Sequence, residues 1–360
     1  MTAPQDTARP LRFGLHLGYW GAEPPEGAAR AVELADQAGL DSVWTAEAYG
    51  SDAFTPLAWW GARTRQVRLG TGIAQLSART PTATAMAALT LDHLSGGRFV
   101  LGLGASGPQV VEGWYGQPFP RPLERTREYV DIVRQVLRRE APVHLAGRHY
   151  RLPTDVPGAT GEGKALRATV HPLRSHLPIH LAAQGPRNVA LAAEIADGWL
   201  PAFFAPRLDE WARAQLAEGF AVRRADLPAP EDFEVNVSVP VAVGRDVEEA
   251  ADHIRPHVAL YVGGMGSGRH NFHREAVARL GYEEECARIE RRWAAGDRSG
   301  AAAAVPTELV LDIALAGRPE QIGSQLAAWR GTVATGLVLQ VPPAAAPALI
   351  DALGPLIAAG

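Results

Sequence analysis

Short apolar segments alternate with helix-periodic segments along most of this chain, and that alternation restricts the available folds more than any other feature. Strands are predicted at Arg12 to Leu17, Ser42 to Ala46, Val67 to Ile73 and from Phe99. Four more are predicted at Ile179 to Ala183, Trp199 and Leu200, Phe233 to Val241, and Leu337 to Gln340. Helices fall between them. The first carries Ala31, Leu34, Ala35 and Ala38 on one face and stops at Gly39; others follow at Phe54 to Arg65, from Pro81 to about Leu94, at Arg121 to Glu140 and from Pro186. Strands such as FVLGLG and GLVLQV are apolar almost throughout, as expected where helices cover both faces of a parallel sheet. Eight βα units close most naturally into a barrel. The expectation is therefore a flexible lead over 1–11 and a single domain over 12–360, interrupted by insertions at about 142–177 and 243–334.

Bulk properties narrow the partners. The 35 basic residues are interspersed with 39 acidic ones, so no basic patch invites nucleic acid. No stretch approaches the roughly 18 consecutive apolar residues of a membrane span. Cys286 is the single cysteine, which excludes an internal disulfide, and MTAPQDTARP lacks the basic and apolar regions of a secretion signal. A cytoplasmic protein acting on a small molecule is the default, with a homodimer as the assembly to test.

Phe99 to Gly116, FVLGLGASGPQVVEGWYG, runs from an apolar strand through a glycine-rich turn into a helix opened by Pro108. The first helical turn presents unpaired N–H groups suited to an anion. The same residues spell GxGxxG, yet the dinucleotide-binding reading needs an acid about 20 residues on, at the end of the next strand. Glu124 and Glu128 stand at that distance inside a helix-periodic segment. A phosphate-cradling turn in another α/β fold fits better.

In a barrel, reactive groups come from the C-terminal strand ends. His16 could polarise a substrate or touch a cofactor ring, or be a satisfied core histidine. Glu47 could be a general acid or base, or a carboxylate bonded to a neighbouring loop. Glu112 follows the glycine-rich turn and could move a proton. Gly70, Thr71 and Gly72 suggest a bulge or close approach by a flat ligand. Gln184, Gly185, Pro186, Arg187 and Asn188 form a second strand-to-helix turn that fits an anion. Phe203 and Phe204 are either core or a wall for a ring-containing substrate. His253, His257, His270 and His273 lack metal-site spacing, so no metal is expected. No G-x-S-x-G elbow is present, and Cys286 lies in the charged run EEECARIE, so covalent hydrolysis is not supported.

Taken together, AEAYGSDAFTPLAWW, RLGTGIAQLSARTPTATAMAALTLDHLSGGRFVLGLGASGPQVVEGWYG, HPLRSHLPIHLAAQGPRNVALAAEIADGWLP and ALYVGGMGSGRHNFH resemble the luciferase-like monooxygenase superfamily, in its branch of oxidoreductases using the 5-deazaflavin coenzyme F420. The resemblance implies a TIM (β/α)8 barrel with insertions and hydride transfer between F420 and an unidentified organic substrate. It also implies a non-proline cis peptide between Gly72 and Ile73 beside the cofactor ring, and phosphate-side contacts at Ser106, Gly107, Gln184, Gly185, Arg187 and Asn188. His16 and Glu47 would flank the ring and Glu112 would transfer a proton. Ala48 replaces the histidine that many members carry after the strand-two glutamate, and Ser77 would widen the substrate end. A flavin mononucleotide (FMN) enzyme reacting with oxygen is the alternative, and a non-catalytic ligand-binding barrel the second.

Overall fold

A computed structural model describes residues 10–266 and 271–358. Most of the expected N-terminal lead lies outside them. Eight parallel strands close a cylinder: β1 Arg12–His16, β2 Ser42–Thr45, β3 Arg68–Thr71, β4 Phe99–Gly104, β5 Ile179–Ala182, β6 Gly198–Leu200, β7 Glu234–Val243 and β8 Gly336–Gln340. Closure runs from β8 back to β1, with Arg12 opposite Gly336 and His16 opposite Gln340. The expected strand three breaks after Thr71 and resumes at Ala74–Gln75, which pairs with the end of β4. The expected helix over Phe54 to Arg65 ends at Gly61, and no described helix is long and apolar enough to cross a membrane.

The barrel interior is filled in layers. Trp44, Val100, Leu200 and Val338, from the four even strands, form one cluster, the alternate-strand layering of this architecture. The odd strands yield space to it. A Cβ on Gly70 would sit 2.3 Å from the Trp44 ring, and one on Gly14 would sit 2.5 Å from Ser42 Oγ and 3.3 Å from Trp44 Nε1. Gly70 therefore accommodates an indole.

Two long segments interrupt the alternation of barrel strands and helices. Residues 142–177 are mostly irregular around the small hairpin Leu145–Ala146 and Arg151–Leu152. The described residues of 243–334 are mostly helical. Their helices α8 Val247–Gly263, α9 Phe272–Arg279 and α10 Glu283–Ala294 bury Val258, Val277, Cys286 and Ile289 in a second apolar cluster that reaches Phe203 at the barrel mouth. Cys286 thus faces inward, and burial pushes its thiol up to about 11, which leaves it an unreactive core group.

The N-terminal face of the barrel is a charge-paired plug. Glu234 accepts from Arg12 at 2.9 Å and from Arg68 at 3.1 Å, and Arg68 also donates to Asp41 at 2.6 Å. Above it the fully buried His180 is held near 4 by burial, against the opposing pull of Glu234. Burial alone would raise Asp197, but the adjacent His176 and Arg134 hold it at about 2.

Both shifts give stability the same sign. The unfolded chain protonates His180 below its ordinary 6.5 while the fold resists until about 4. Asp197 similarly binds protons below 3.8 only when unfolded, until about 2. Urea midpoints are expected to fall steadily as pH drops from 6.5 to 4 and again below 3.8. The limiting slope is about 1.4 kcal/mol per pH unit per group. A flat midpoint over the upper window would contradict the account of His180.

Candidate active site

The barrel's C-terminal rim holds a cavity of about 560 Å³, lined from every strand end and roofed partly by α8 and α9. The peptide between Gly72 and Ile73 is cis and borders it. The His16 Nδ1 accepts from the Gly18 N–H at 3.0 Å, which leaves Nε2 to carry the proton and donate to the Gly72 carbonyl at 3.1 Å. Burial lowers the His16 pKa, so the neutral ring ties the loop after β1, through Gly18, to the Gly72 carbonyl.

Glu47 also faces the cavity and is almost fully buried. Its carboxylate is forked by Arg79, with contacts of 2.7 and 2.8 Å, and accepts the Gln75 N–H at 2.9 Å. The Gln75 side chain returns a bond to the Glu47 carbonyl at 2.9 Å, and the Glu47 N–H donates to Ile73 O at 3.2 Å. These bonds tie the loop after β2 to the cis segment after β3. The neighbouring-loop role anticipated for Glu47 is the one its contacts display.

Ser106, at φ 60°, and Gly107 line the cavity at the start of α4 Pro108–Gly113. Gln184, Gly185, Arg187 and Asn188 line it at the start of α6 Pro186–Ile195. Asn188 and Val189 already donate to Gly185 O at 3.0 Å, so the free N–H of that turn belongs to Arg187. Arg187 lines the cavity, is exposed, and its guanidinium pairs with no described residue. The Arg279 guanidinium, stacked 4.4 Å from the Trp211 ring centre, holds the Gln184 carbonyl at 3.3 Å.

Other anticipated residues sit elsewhere. Glu112 points to solvent from α4 and does not line the cavity, because the same helix turns Val110 toward it. Gly70 is occupied by Trp44, and the buried Thr71 Oγ1 bridges the Gly102 carbonyl at 2.7 Å and N–H at 2.9 Å inside the wall. Ser77 is held by Arg125 at 3.2 Å outside the lining. Phe204 packs edge-on against Trp199 in the main core, whereas Phe203 lines the cavity.

Several lining residues were not anticipated. Asn236 and Ser238 come from β7 and Gln340 from β8, while Tyr19, His257, Tyr261 and His273 form part of the wall. Alternation along EVNVSVPV, apolar outward and polar inward, was the available signal for the first two. Glu124, Glu128 and His149 could geometrically share an ion. Glu128 is already spent, however, accepting the N–H groups of Arg148, His149 and Tyr150 at 2.8 to 2.9 Å.

Comparison with known proteins agrees with this architecture. The family described as luciferase-like monooxygenase matches residues 9–336. A Mycobacterium tuberculosis protein named "Putative coenzyme F420-dependent oxidoreductase Rv3520c" is 54% identical over 329 residues, covering 91% of this chain and 94% of that relative. The 5,10-methylenetetrahydromethanopterin reductase of Archaeoglobus fulgidus is 28% identical over 295 residues, covering 81% and 82%. Among solved structures, the coenzyme F420-dependent tetrahydromethanopterin reductase from Methanopyrus kandleri superposes with a TM-score of 0.75 at 25% identity, covering 96% of this chain and 97% of that one.

Proposed function

Because the chain belongs to the luciferase-like monooxygenase family, we propose that it is an oxidoreductase that holds coenzyme F420 in the rim cavity and exchanges a hydride with an organic substrate. The observation that carries this reading is a rim cavity that has on one side an arginine at a helix start, paired with no described residue, and the Gly72–Ile73 segment on its wall. A flat ring with an anionic tail suits that combination. The identity to an F420-dependent relative over nine-tenths of the chain favours the deazaflavin over FMN.

When bound, the deazaflavin supplies hydride chemistry at its C5 carbon. The protein supplies geometry. Arg187 and its N–H, with Ser106 and Gly107, hold the anionic side. His16 fixes the Gly72 carbonyl, and the Glu47–Arg79 fork with Gln75 locks the two loops that flank the ring. Of the carboxylates considered for proton transfer, Glu47 is the one facing the cavity, and giving or taking a proton there requires Arg79 to release it. Residues 243–334 act as an insertion that completes this cavity, within one domain.

Titrating the protein with F420 and with FMN separates the readings. Micromolar or tighter binding of F420, without FMN binding, is the expected result. Micromolar FMN binding with no F420 binding would reverse the cofactor assignment, and binding of neither would favour the non-catalytic barrel.

A further inference from the structure

Part of the cavity wall is independent of the anion side. Four rings converge there: Phe203, held at φ 53° after β6, His257 and Tyr261 on α8, and His273 on α9. The His257 and Tyr261 ring centres are 4.6 Å apart, and Tyr261 and His273 are 4.7 Å apart at 88°. Phe203 stands 6.0, 5.4 and 5.6 Å from the three in turn.

The hydrogen-bond complement of this wall is unfilled. Tyr261 reaches only the Tyr19 hydroxyl, at 3.4 Å. The imidazole of His257 bonds to no described residue, and Nδ1 of His273 is shut off from solvent without a partner. A buried imidazole nitrogen such as Nδ1 of His273 ordinarily finds a partner, and the half-buried His257 ring is open to the cavity. Burial pushes both rings down to about 4, and each opposes a neighbouring imidazole, His16 for His257 and His257 for His273. Both are therefore neutral at pH 7, each offering one donor and one acceptor. The other charged residues lining the cavity are the forked Glu47, Arg187 and the exposed Glu275.

We propose that this wall orients the substrate: it takes an uncharged ring compound whose carbonyl or hydroxyl oxygen bonds to the His257 imidazole, with the ring packed against Phe203 and Tyr261. A carboxylate there would find no cation among the four rings and would lose its hydration. The proposal relies on the F420 reading only for the function of the cavity, since recognition of the oxygen by His257 does not involve the cofactor.

The test uses the full chain with and without F420 and three probes of similar size: 4-hydroxyacetophenone, its charged counterpart 4-acetylbenzoate, and oxygen-free ethylbenzene. The first is expected to bind about tenfold more tightly than ethylbenzene, the contribution of one good hydrogen bond, and more tightly than 4-acetylbenzoate, whose carboxylate loses its hydration at this wall. His257→Phe keeps a ring of similar size and is expected to reduce the preference over ethylbenzene to within about twofold while F420 affinity is unchanged. In the wild-type protein, the His257 imidazole nitrogen resonances are expected to shift on addition of 4-hydroxyacetophenone, a readout independent of variant folding. A preference over ethylbenzene that survives in the variant, tighter binding of 4-acetylbenzoate than of 4-hydroxyacetophenone by the wild type, or an unmoved resonance would overturn the proposal. Selective probe binding without F420 binding would sink the cofactor reading alone, and F420 binding without selectivity would sink this one alone.

Discussion

Replacing Arg187 with glutamate is expected to weaken F420 binding about 100-fold while leaving the melting temperature within about 2 °C of the wild type. The asymmetry follows from what the guanidinium touches. It is exposed, forms no ion pair or hydrogen bond with a described residue, and lines the cavity at the first turn of α6. Removing it costs the fold nothing it was using. An anionic tail, by contrast, would lose charge-assisted bonds worth about 1.5 to 3 kcal/mol and gain a facing carboxylate. Isothermal titration of the variant with F420, beside a thermal melt, reads both quantities. Unchanged affinity would remove the anion site from this turn, and a large fall in melting temperature would show that Arg187 has structural partners after all.

The same contrast between what a residue touches and what its motif suggests decides how much could be read from the chain alone. The eight strands were legible because a parallel strand buried on both faces must be apolar along its length. Their ends then located His16, Glu47, Ser106, Gln184 and Phe203 at the rim, since alternating βα connectivity forces every strand to emerge at one end. Side-chain direction was less accessible. Glu112 and Val110 lie two residues apart on one short helix, and only the docking angle of α4 decides which meets the cavity. Phe203 and Phe204 are adjacent, and the left-handed conformation at Phe203 sends one ring to the cavity and the other to the core. His257 and His273 required knowing how helices far along the chain fold back over the barrel mouth, a tertiary fact with no local signature. Asn236 and Ser238 were legible in principle, because their period-two spacing aims them into the barrel.

Gly102→Ala is expected to cost more than about 4 kcal/mol or to prevent folding, although the position belongs to the GxGxxG run that a motif reading assigns to ligand binding. A Cβ there would lie 1.8 Å from the Thr71 carbonyl oxygen, a backbone atom that cannot swing aside without breaking the register between β3 and β4. The next glycines grade downward for stated reasons. At Gly104 the obstacle is the Ile73 Cδ1 at 2.7 Å, the end of a side chain that can partly yield, so the alanine variant should lose about 1 to 3 kcal/mol. At Gly107 a Cβ meets only the Gln109 Oε1 at 2.9 Å, and φ is an ordinary −109°, so a loss below about 1 kcal/mol is expected. Urea denaturation of the three variants in parallel measures the gradient. If Gly102→Ala folds with near wild-type stability while Gly107→Ala collapses, the first two glycines are not there for the protein's own packing. The expected order assigns the motif's first two glycines to the close approach of β3 and the segment after it, with Gly104 also lining the cavity, and leaves the third to the cavity alone.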